Sequence, residues 1–87
     1  MSDIVVSMLL VVRNSEESIS AVLHSLLQQG YENSKFEIIV IDGESDDLTP
    51  SIANKVLSQA KVNYLILNNK AHSLSSGWNI GIRHAKG

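Results

Sequence analysis

Apolar runs alternate with segments of helical periodicity three times along the 87 residues of this chain. The runs occupy residues 4–12, 36–41 and 62–67, and each is followed by apolar residues at intervals of three and four. A continuous apolar run is typical of a strand covered on both faces, whereas the longer intervals are typical of an amphipathic helix. Strands that alternate with helices form parallel sheets with right-handed crossovers. The sequence therefore predicts a βαβαβα unit of the α/β class, with residues 4–12 as a central strand.

The segment after the first predicted strand carries the signals of a helix start. Asn14 or Ser15 is placed to cap this helix, and Glu16 and Glu17 would supply negative charge to its first turn. We expect the helix to end near Gly30, because glycine is common just past the carboxyl end of a helix.

Two further helices follow the second and third predicted strands. Thr49 and Pro50 predict the start of the second helix, and Ser73 or Ser75 that of the third. The apolar residues that recur at helical spacing, and that we expect to face the core, are Ile19, Val22, Leu23, Leu26 and Leu27, then Ile52, Ala53, Val56, Leu57 and Ala60, and finally Leu74, Trp78, Ile82 and Ala85. We expect Trp78 in the core rather than in a ligand site.

Composition and charge exclude several classes of protein. The chain is 44% hydrophobic and 18% charged, as soluble globular proteins are, and its seven Lys and Arg residues are scattered, which disfavours nucleic acid binding. The absence of Cys excludes disulfides and thiolate metal sites. The longest apolar run is far shorter than the roughly 20 residues that span a bilayer, and it lacks the features of a signal peptide. We expect a cytoplasmic protein.

Three polar loops, residues 13–15, 42–47 and 68–73, follow the predicted strands. In a parallel sheet the carboxyl ends of the strands meet at one edge, which is where ligands bind, and the helix that follows each loop favours an anion at its amino end. No glycine-rich phosphate loop follows any strand, so dinucleotide-binding and P-loop classes are excluded. We expect the ligand at this edge.

Charged residues in the first two loops are the candidate ligand contacts. Arg13 can stack on a base or meet a phosphate, or it is a surface cation beside a capping Asn14. Asp42 can accept a hydrogen bond from N3 of uracil or from a ribose hydroxyl, or it supports Gly43 in an Asx turn. Asp46 is either a ligand contact or a helix cap. The sequence leaves these alternatives open.

A metal site in the second loop is disfavoured by spacing. Four acidic residues could supply oxygen ligands, namely Asp42, Glu44, Asp46 and Asp47. The spacing is not that of an EF-hand, and no second carboxylate cluster or His follows at matching spacing, so we expect no metal ligand in this chain. Of the three His residues only His72 lies at the predicted ligand edge, and it is a candidate contact, whereas we expect His24 to be exposed and His84 near a helix carboxyl end.

Three stretches of the chain, taken in order, resemble the amino-terminal segment of family 2 glycosyltransferases with the GT-A fold. Residues 6–17 (VSMLLVVRNSEE) are similar to the opening strand and its P-x-Y/R-N-E-E sequel. Residues 37–49 (EIIVIDGESDDLT) are similar to E-I-I-V-V-D-G-x-S-x-D-x-T, and residues 74–87 (LSSGWNIGIRHAKG) to the helix S-x-A-x-N-x-G-I-x-x-A-x-G. Three motifs in order are far more specific than any one.

The resemblance implies inverting transfer of a sugar from a nucleotide-sugar donor, commonly a UDP-sugar, to a saccharide or lipid-linked acceptor. It places Asp42 at the base and the Arg13 loop beside it. The residues it implies for nucleotide-sugar binding are Val12, Arg13, Asn14, Glu16, Asp42, Gly43, Asp46 and His72. The Asp42-Gly43 pair with Arg13 looks closest to bacterial exopolysaccharide enzymes of the succinoglycan type, which implies a location in the cytoplasm or at the cytoplasmic face of the membrane.

The chain also departs from the family pattern. Val11 stands in place of the usual Pro, Arg13 in place of a frequent Tyr, and Asp47 and Leu48 where Gly is common. The strand with the family's D-x-D motif, which binds a divalent metal (Mg²⁺ or Mn²⁺) in the full enzyme, should begin just after Gly87, and the later acidic general base is absent too. We therefore expect residues 1–87 to be a single domain, the truncated donor-nucleotide-binding half of such an enzyme, inactive alone.

The resemblance further implies the strand order 3-2-1, with the family's fourth strand beside the first. Residues 4–12 would then be left as an open edge, which invites pairing with another chain, and we expect a homo-oligomer. A non-enzymatic assembly protein that uses this edge is the alternative. A flavodoxin-like or receiver module would need a fifth strand, for which the chain is too short.

Overall fold

The computed structural model describes residues 4, 6–28, 35–71 and 73–86. The elements, in chain order, are β1 (Val6–Val12), α1 (Ile19–Leu27), β2 (Phe36–Asp42), α2 (Thr49–Ala60), β3 (Asn63–Asn68) and α3 (Leu74–His84). The three strands are parallel and lie in the order β1-β2-β3. The predicted α/β class and the predicted strand order are confirmed.

The central strand is β2, and the prediction that the first strand is central was wrong. Every residue of β2 is buried, whereas every residue of β1 is only half-buried, because β2 alone has a strand on each side. Among the described residues no strand pairs with the second edge of β1. The apolar side chains on both faces of β1 indicate that helices cover both faces of this strand. They do not indicate which strands pair with β1 in the sheet.

The sheet carries α1 and α2 on one face and α3 on the other. Parallel pairing aligns Val6 with Phe36 and Met8 with Ile38, so alternate residues of the strands share a face. The buried residues packed with α1 and α2 are Ile19, Leu23, Phe36, Ile38, Val40, Ala53, Leu57 and Val62. The apolar stripes predicted for the first two helices are therefore confirmed as the core-facing ones, apart from Val22, which is 39% exposed.

Helix α1 begins later than the sequence predicted. Its N-cap position is Ser18, and neither Glu16 nor Glu17 lies in its first turn. Asn14 adopts a left-handed φ of 49° and its side chain accepts a hydrogen bond from the backbone of another loop, so it cannot cap a helix beginning next to it. The predicted end near Gly30 lies outside the described residues.

Helix α2 begins at Thr49 with Pro50 in its first turn, as predicted. Proline is tolerated there because the first amides of a helix have no partner within the helix. The N-cap position is Leu48, and the residue before it, Asp47, accepts a hydrogen bond from the Thr49 amide through Oδ1 at 2.9 Å.

Helix α3 begins after Ser73, whose hydroxyl accepts from the Ser76 amide, and it packs on the sheet through Gly77 and Gly81. The stripe predicted to be buried, Leu74, Trp78 and Ile82, is 63%, 40% and 64% exposed, so placing Trp78 in the core was wrong. The reason is steric. A Cβ at Gly77 would lie 2.7 Å from Val11 Cγ1. Helix α3 can therefore approach the large side chains of β1 only through its glycine face, which carries no side chains.

A buried carboxylate ties the segment after α3 to the sheet. Glu37 is 3% exposed, and its Oε2 accepts hydrogen bonds from the Ser7 hydroxyl and from the Lys86 amide, both at 2.6 Å. Two charge-assisted bonds offset the desolvation of this group. The predictions for the helical histidines are confirmed: His24 is exposed on α1, and His84 lies in the last turn of α3.

Candidate functional site

The loops that follow β1 and β2 lie side by side at the carboxyl edge of the sheet. The Gly43 amide donates to the Val12 carbonyl at 2.8 Å, which extends the pairing of the two strands by one residue. The side chain of Val12 packs against the core on the α1 and α2 face. Val12 therefore contributes to this edge through its backbone.

Five further hydrogen bonds join these two loops. Asn14 N donates to Ser45 Oγ at 2.8 Å, Asp46 N to Asn14 Oδ1 at 2.8 Å, Ser15 N to Thr49 Oγ1 at 2.7 Å, Glu16 N to Asp47 Oδ2 at 3.2 Å, and Leu48 N to Glu16 Oε2 at 3.4 Å. These bonds fix the two loops relative to one another. Asn14 and Glu16, both predicted as ligand contacts, have side chains engaged in this network.

Asp42 ends β2 and is 5% exposed. Its Oδ2 accepts from the Ser45 amide at 2.9 Å and its Oδ1 from the Ser45 hydroxyl at 2.5 Å, so the Asx turn considered as an alternative is formed. An ionised carboxylate has about four lone-pair positions, of which these bonds occupy two. The turn and the recognition of a ligand hydrogen are therefore compatible.

Arg13 lies over the residue that follows Asp42. A Cβ built on Gly43 would lie 3.5 Å from both Cβ and Cδ of Arg13, which places the stem of the side chain against the Gly43 backbone. Arg13 is exposed, and its guanidinium has no hydrogen bond or ion pair with another described residue. A cation and a carboxylate thus stand at the carboxyl ends of two neighbouring strands, without forming an ion pair.

The remaining predicted contacts differ in position. Asp46 is exposed and stands at the rim of the second loop, with its amide bonded to Asn14. His72 lies outside the described residues. Ser45 was missed, although a Ser three residues after an Asp in a turn is a known pattern for a side chain that bonds its local backbone.

The third loop is fastened to the same edge by Asn69, which is 1% exposed. Its amide donates to the Asp42 carbonyl at 2.7 Å, its Nδ2 donates to the Ser73 carbonyl, and its Oδ1 accepts from the Ser76 hydroxyl, both at 2.9 Å. Asn69 therefore connects the end of β2 with the start of α3.

Acidic side chains dominate the α1 side of the site. A cavity of about 440 Å³ beside the first loop is lined by Glu16, Glu17 and Asp47, with Asn14, Ser15 and Ser18. No group of three or more residues able to hold a metal ion occurs in the described part of the chain.

The pKa of Asp47 lies below its ordinary value. The Thr49 hydroxyl is the largest cause, and the amides of Thr49 and Glu16 add to it, while partial desolvation opposes them. Because the folded pKa is depressed, the stability this carboxylate contributes is present above its unfolded pKa of about 3.9 and is lost as the pH falls through the folded value.

Replacing Asp47 with Asn should weaken this acid sensitivity. Asn can still accept from the Thr49 amide but offers no second acceptor to Glu16, so we expect lower stability than wild type at neutral pH and a smaller further loss on acidification to roughly pH 3. Urea unfolding of both proteins at the two pH values measures the difference. Equal losses in the two proteins would contradict this role of Asp47.

Comparisons with known proteins identify a glycosyltransferase family. The model of the family described as Glycosyl transferase family 2 matches residues 7–87. The chain is similar to Glycosyltransferase AglE of Haloferax volcanii, with 28% identity over 82 residues, covering 94% of this chain and 27% of AglE.

Two solved structures share the fold. The structure of S. aureus TarS 1–349 is 27% identical with a TM-score of 0.84, and the match covers 100% of this chain and 25% of TarS. Mannosyltransferase PcManGT from Pyrobaculum calidifontis, solved in complex with GDP-Man and Mn²⁺, is 27% identical with a TM-score of 0.78, covering 94% and 24% of the two chains. This chain therefore spans about a quarter of the length of each of these proteins.

Proposed function

Since the chain belongs to glycosyl transferase family 2, we propose that it supplies the nucleotide-binding part of an enzyme that transfers a sugar from a nucleotide-sugar. The observation that carries this proposal is the placement of Arg13 and Asp42 at the carboxyl ends of β1 and β2, with the stem of Arg13 against Gly43. A buried carboxylate aimed by Ser45 suits the N–H of a base or a ribose hydroxyl, and an exposed guanidinium suits a base face or a phosphate.

A UDP-sugar is the donor we propose. The N3–H of uracil is a single donor that the two remaining lone-pair positions of Asp42 can accept. PcManGT was solved with GDP-Man, so guanine nucleotides are the comparison any test must include. Asn14 and Glu16 would act by holding the two loops together. The other residues that we propose for nucleotide-sugar binding are Gly43, Asp46, His72 and the backbone of Val12.

The chemical step is proposed to need residues beyond this chain. Transfer with inversion breaks the bond between the anomeric carbon and the diphosphate oxygen and forms one to an acceptor oxygen, whose proton passes to a general base. We place that base, and the D-x-D carboxylates that would hold Mg²⁺ or Mn²⁺, in the rest of a longer enzyme. Residues 1–87 are then its donor-binding half, and we expect no transfer by this chain alone.

The biological setting is part of the same proposal. We propose a saccharide or lipid-linked acceptor and a role in polysaccharide synthesis of the bacterial succinoglycan type. We further propose a location in the cytoplasm or at the cytoplasmic face of a membrane. The support for this setting is the resemblance of the first two motifs. No helix among the described residues is long and apolar enough to cross a membrane.

Nucleotide binding is tested by the thermal unfolding midpoint. A ligand that binds only the folded chain stabilises it by about 2.7 kcal/mol at one hundred times its dissociation constant. We expect millimolar UDP to raise the midpoint more than GDP, and both more than uridine. A midpoint unchanged by every nucleotide would exclude independent donor binding.

A second proposal concerns assembly through the open edge of β1. Ser76, Ile80 and Arg83 line a cleft beside the end of β3, so the opposite flank of α3 lies on the β1 side. That flank carries the exposed Leu74, Trp78 and Ile82. We propose that a second copy of the 87-residue chain covers both features. A two-fold axis normal to the sheet pairs β1 with its counterpart in antiparallel fashion and sets the two α3 flanks against each other.

Replacing Trp78 with Lys should abolish this dimer. One strand and one helix flank bury less than the roughly 800 Å² per partner of a standard interface, so we expect a weak, concentration-dependent dimer. Sedimentation should show wild type associating and the variant monomeric, with unchanged circular dichroism. Fluorescence of Trp78, the one Trp of the chain, should shift to the blue as wild-type concentration rises.

Leu65→Lys is the matched control, because Leu65 is 36% exposed but lies on β3, at the opposite edge of the sheet from the proposed seam. It should associate as wild type does. A wild-type monomer at high concentration, or a Trp78→Lys protein that still dimerises, would refute the proposal.

A further inference from the structure

A second cavity at the carboxyl edge lies between the end of β3 and α3. Its volume is about 480 Å³, and its polar lining consists of Asn68, Asn69, Lys70, Ser76, Asn79 and Arg83. Asn68 is the register partner of Asp42, so the cleft begins where the Asp42 loop ends. We call this cavity the β3–α3 cleft.

The charge of the β3–α3 cleft is opposite to that of the chain. Lys70 and Arg83 line it without any acidic residue, although the formal net charge of the protein is -2. The cavity on the other side of the site has Glu16, Glu17 and Asp47 in its lining and no cation. An anion that approaches this edge is therefore repelled on the α1 side and attracted on the α3 side.

The wall of the cleft is fixed rather than mobile. Asn69 is buried, and its amide side chain is bonded at both ends, to the Ser73 carbonyl and the Ser76 hydroxyl. Its backbone amide holds the Asp42 carbonyl. Around this rigid base stand the amide groups of Asn68 and Asn79, which can donate to oxygen, and the two cations.

We propose that the β3–α3 cleft binds a phosphate or diphosphate group, with Lys70 and Arg83 as its charged contacts. Arg offers a planar fork of donors and Lys a compact charge, and both are well suited to phosphate oxygens. The group belongs either to the diphosphate of the donor or to a phosphate on the acceptor. The assignment to donor or acceptor rests on the proposed function, whereas phosphate binding itself rests on the cleft alone.

Titration with inorganic pyrophosphate tests the cleft directly. In ¹⁵N-labelled protein we expect saturable shifts of the amides of Lys70, Ser76, Asn79 and Arg83, at an ionic strength near physiological so that loose surface attraction is screened. The variant Lys70→Gln with Arg83→Gln should bind pyrophosphate at least about tenfold more weakly, since hydrogen bonds to charged groups are lost. Both residues are exposed, so the fold should be retained.

The control removes the same charge elsewhere. Lys55 and Lys61 are exposed on α2 and just after it, and Lys55→Gln with Lys61→Gln should bind pyrophosphate within about twofold of wild type. If pyrophosphate shifts none of the four amides, or if both double variants weaken binding equally, the cleft is not a phosphate site.

The source of the phosphate is resolved by competition. Displacement of pyrophosphate by UDP assigns the cleft to the donor, whereas simultaneous binding assigns it to an acceptor phosphate. Pyrophosphate bound in the cleft of a protein that binds no UDP would uphold the cleft and refute the proposed nucleotide site, so the two proposals fail separately.

Discussion

Replacing Gly77 with Val is expected to lower the free energy of unfolding by about 3 kcal/mol, the upper part of the range for overpacked positions. The first added carbon would lie 2.7 Å from Val11 Cγ1 and 3.2 Å from Asn69 Nδ2, and Val adds two methyl groups beyond that carbon. Helix α3 must move outward, which separates Asn69 from its partners. Urea unfolding followed by circular dichroism measures the loss.

Two controls isolate the contact. Ser75→Val places the same side chain on an exposed position of α3 and should change stability by less than about 1 kcal/mol. The carbon added in Gly81→Ala would lie 3.0 to 3.2 Å from the terminal methyl groups of Ile41 and Leu9. Its loss of stability should therefore fall between those of Gly77→Val and Ser75→Val. A Gly77→Val protein as stable as wild type would show that α3 does not pack as described.

Replacing Asp42 with Ala should abolish nucleotide binding and also destabilise the fold by about 1 to 3 kcal/mol. The destabilisation follows because the Ser45 amide and hydroxyl lose their acceptor. Asp42→Asn separates the two effects, since its carbonyl oxygen can still accept from Ser45. We expect this variant to be near wild type in stability and at least about tenfold weaker for UDP, because the charge and the free lone pairs are lost.

Glu17→Gln is the control for the loss of a negative charge. Glu17 is exposed, lines the acidic cavity beside the first loop, and is not proposed to contact the nucleotide. It should bind UDP as wild type does. If the Asp42→Asn variant binds UDP with unchanged affinity, Asp42 only supports the turn and does not recognise the nucleotide.

The strands were predictable because residues 36–42 are buried on both faces and have the continuous apolar pattern that such burial requires. The place of β1 within the sheet was not, because a run of apolar residues does not encode which strands pair with it. The start of α1 depends on Asn14, whose partner Asp46 is 32 positions away. Helix-capping rules consider only neighbours in sequence and could not anticipate that contact.

The error at α3 has a different cause. Spacing identified one apolar flank, Leu74, Trp78 and Ile82, but periodicity alone does not say whether an apolar flank or a glycine flank meets the sheet. Gly77 and Gly81, four residues apart, were the signal for close helix packing. At the site, the sequence predicted that Arg13 and Asp42 lie at the same edge of the sheet, whereas the bonds from Ser45 that orient Asp42 became visible only in the structure.

Titration of the ¹⁵N-labelled chain with UDP shows whether a nucleotide binds where β1 and β2 end. We expect saturable shifts of the amides of residues 13–16 and 42–46, which disappear in the Asp42→Asn variant. Absence of shifts in these two segments at millimolar UDP, in a chain whose spectrum shows it to be folded, would contradict this binding site.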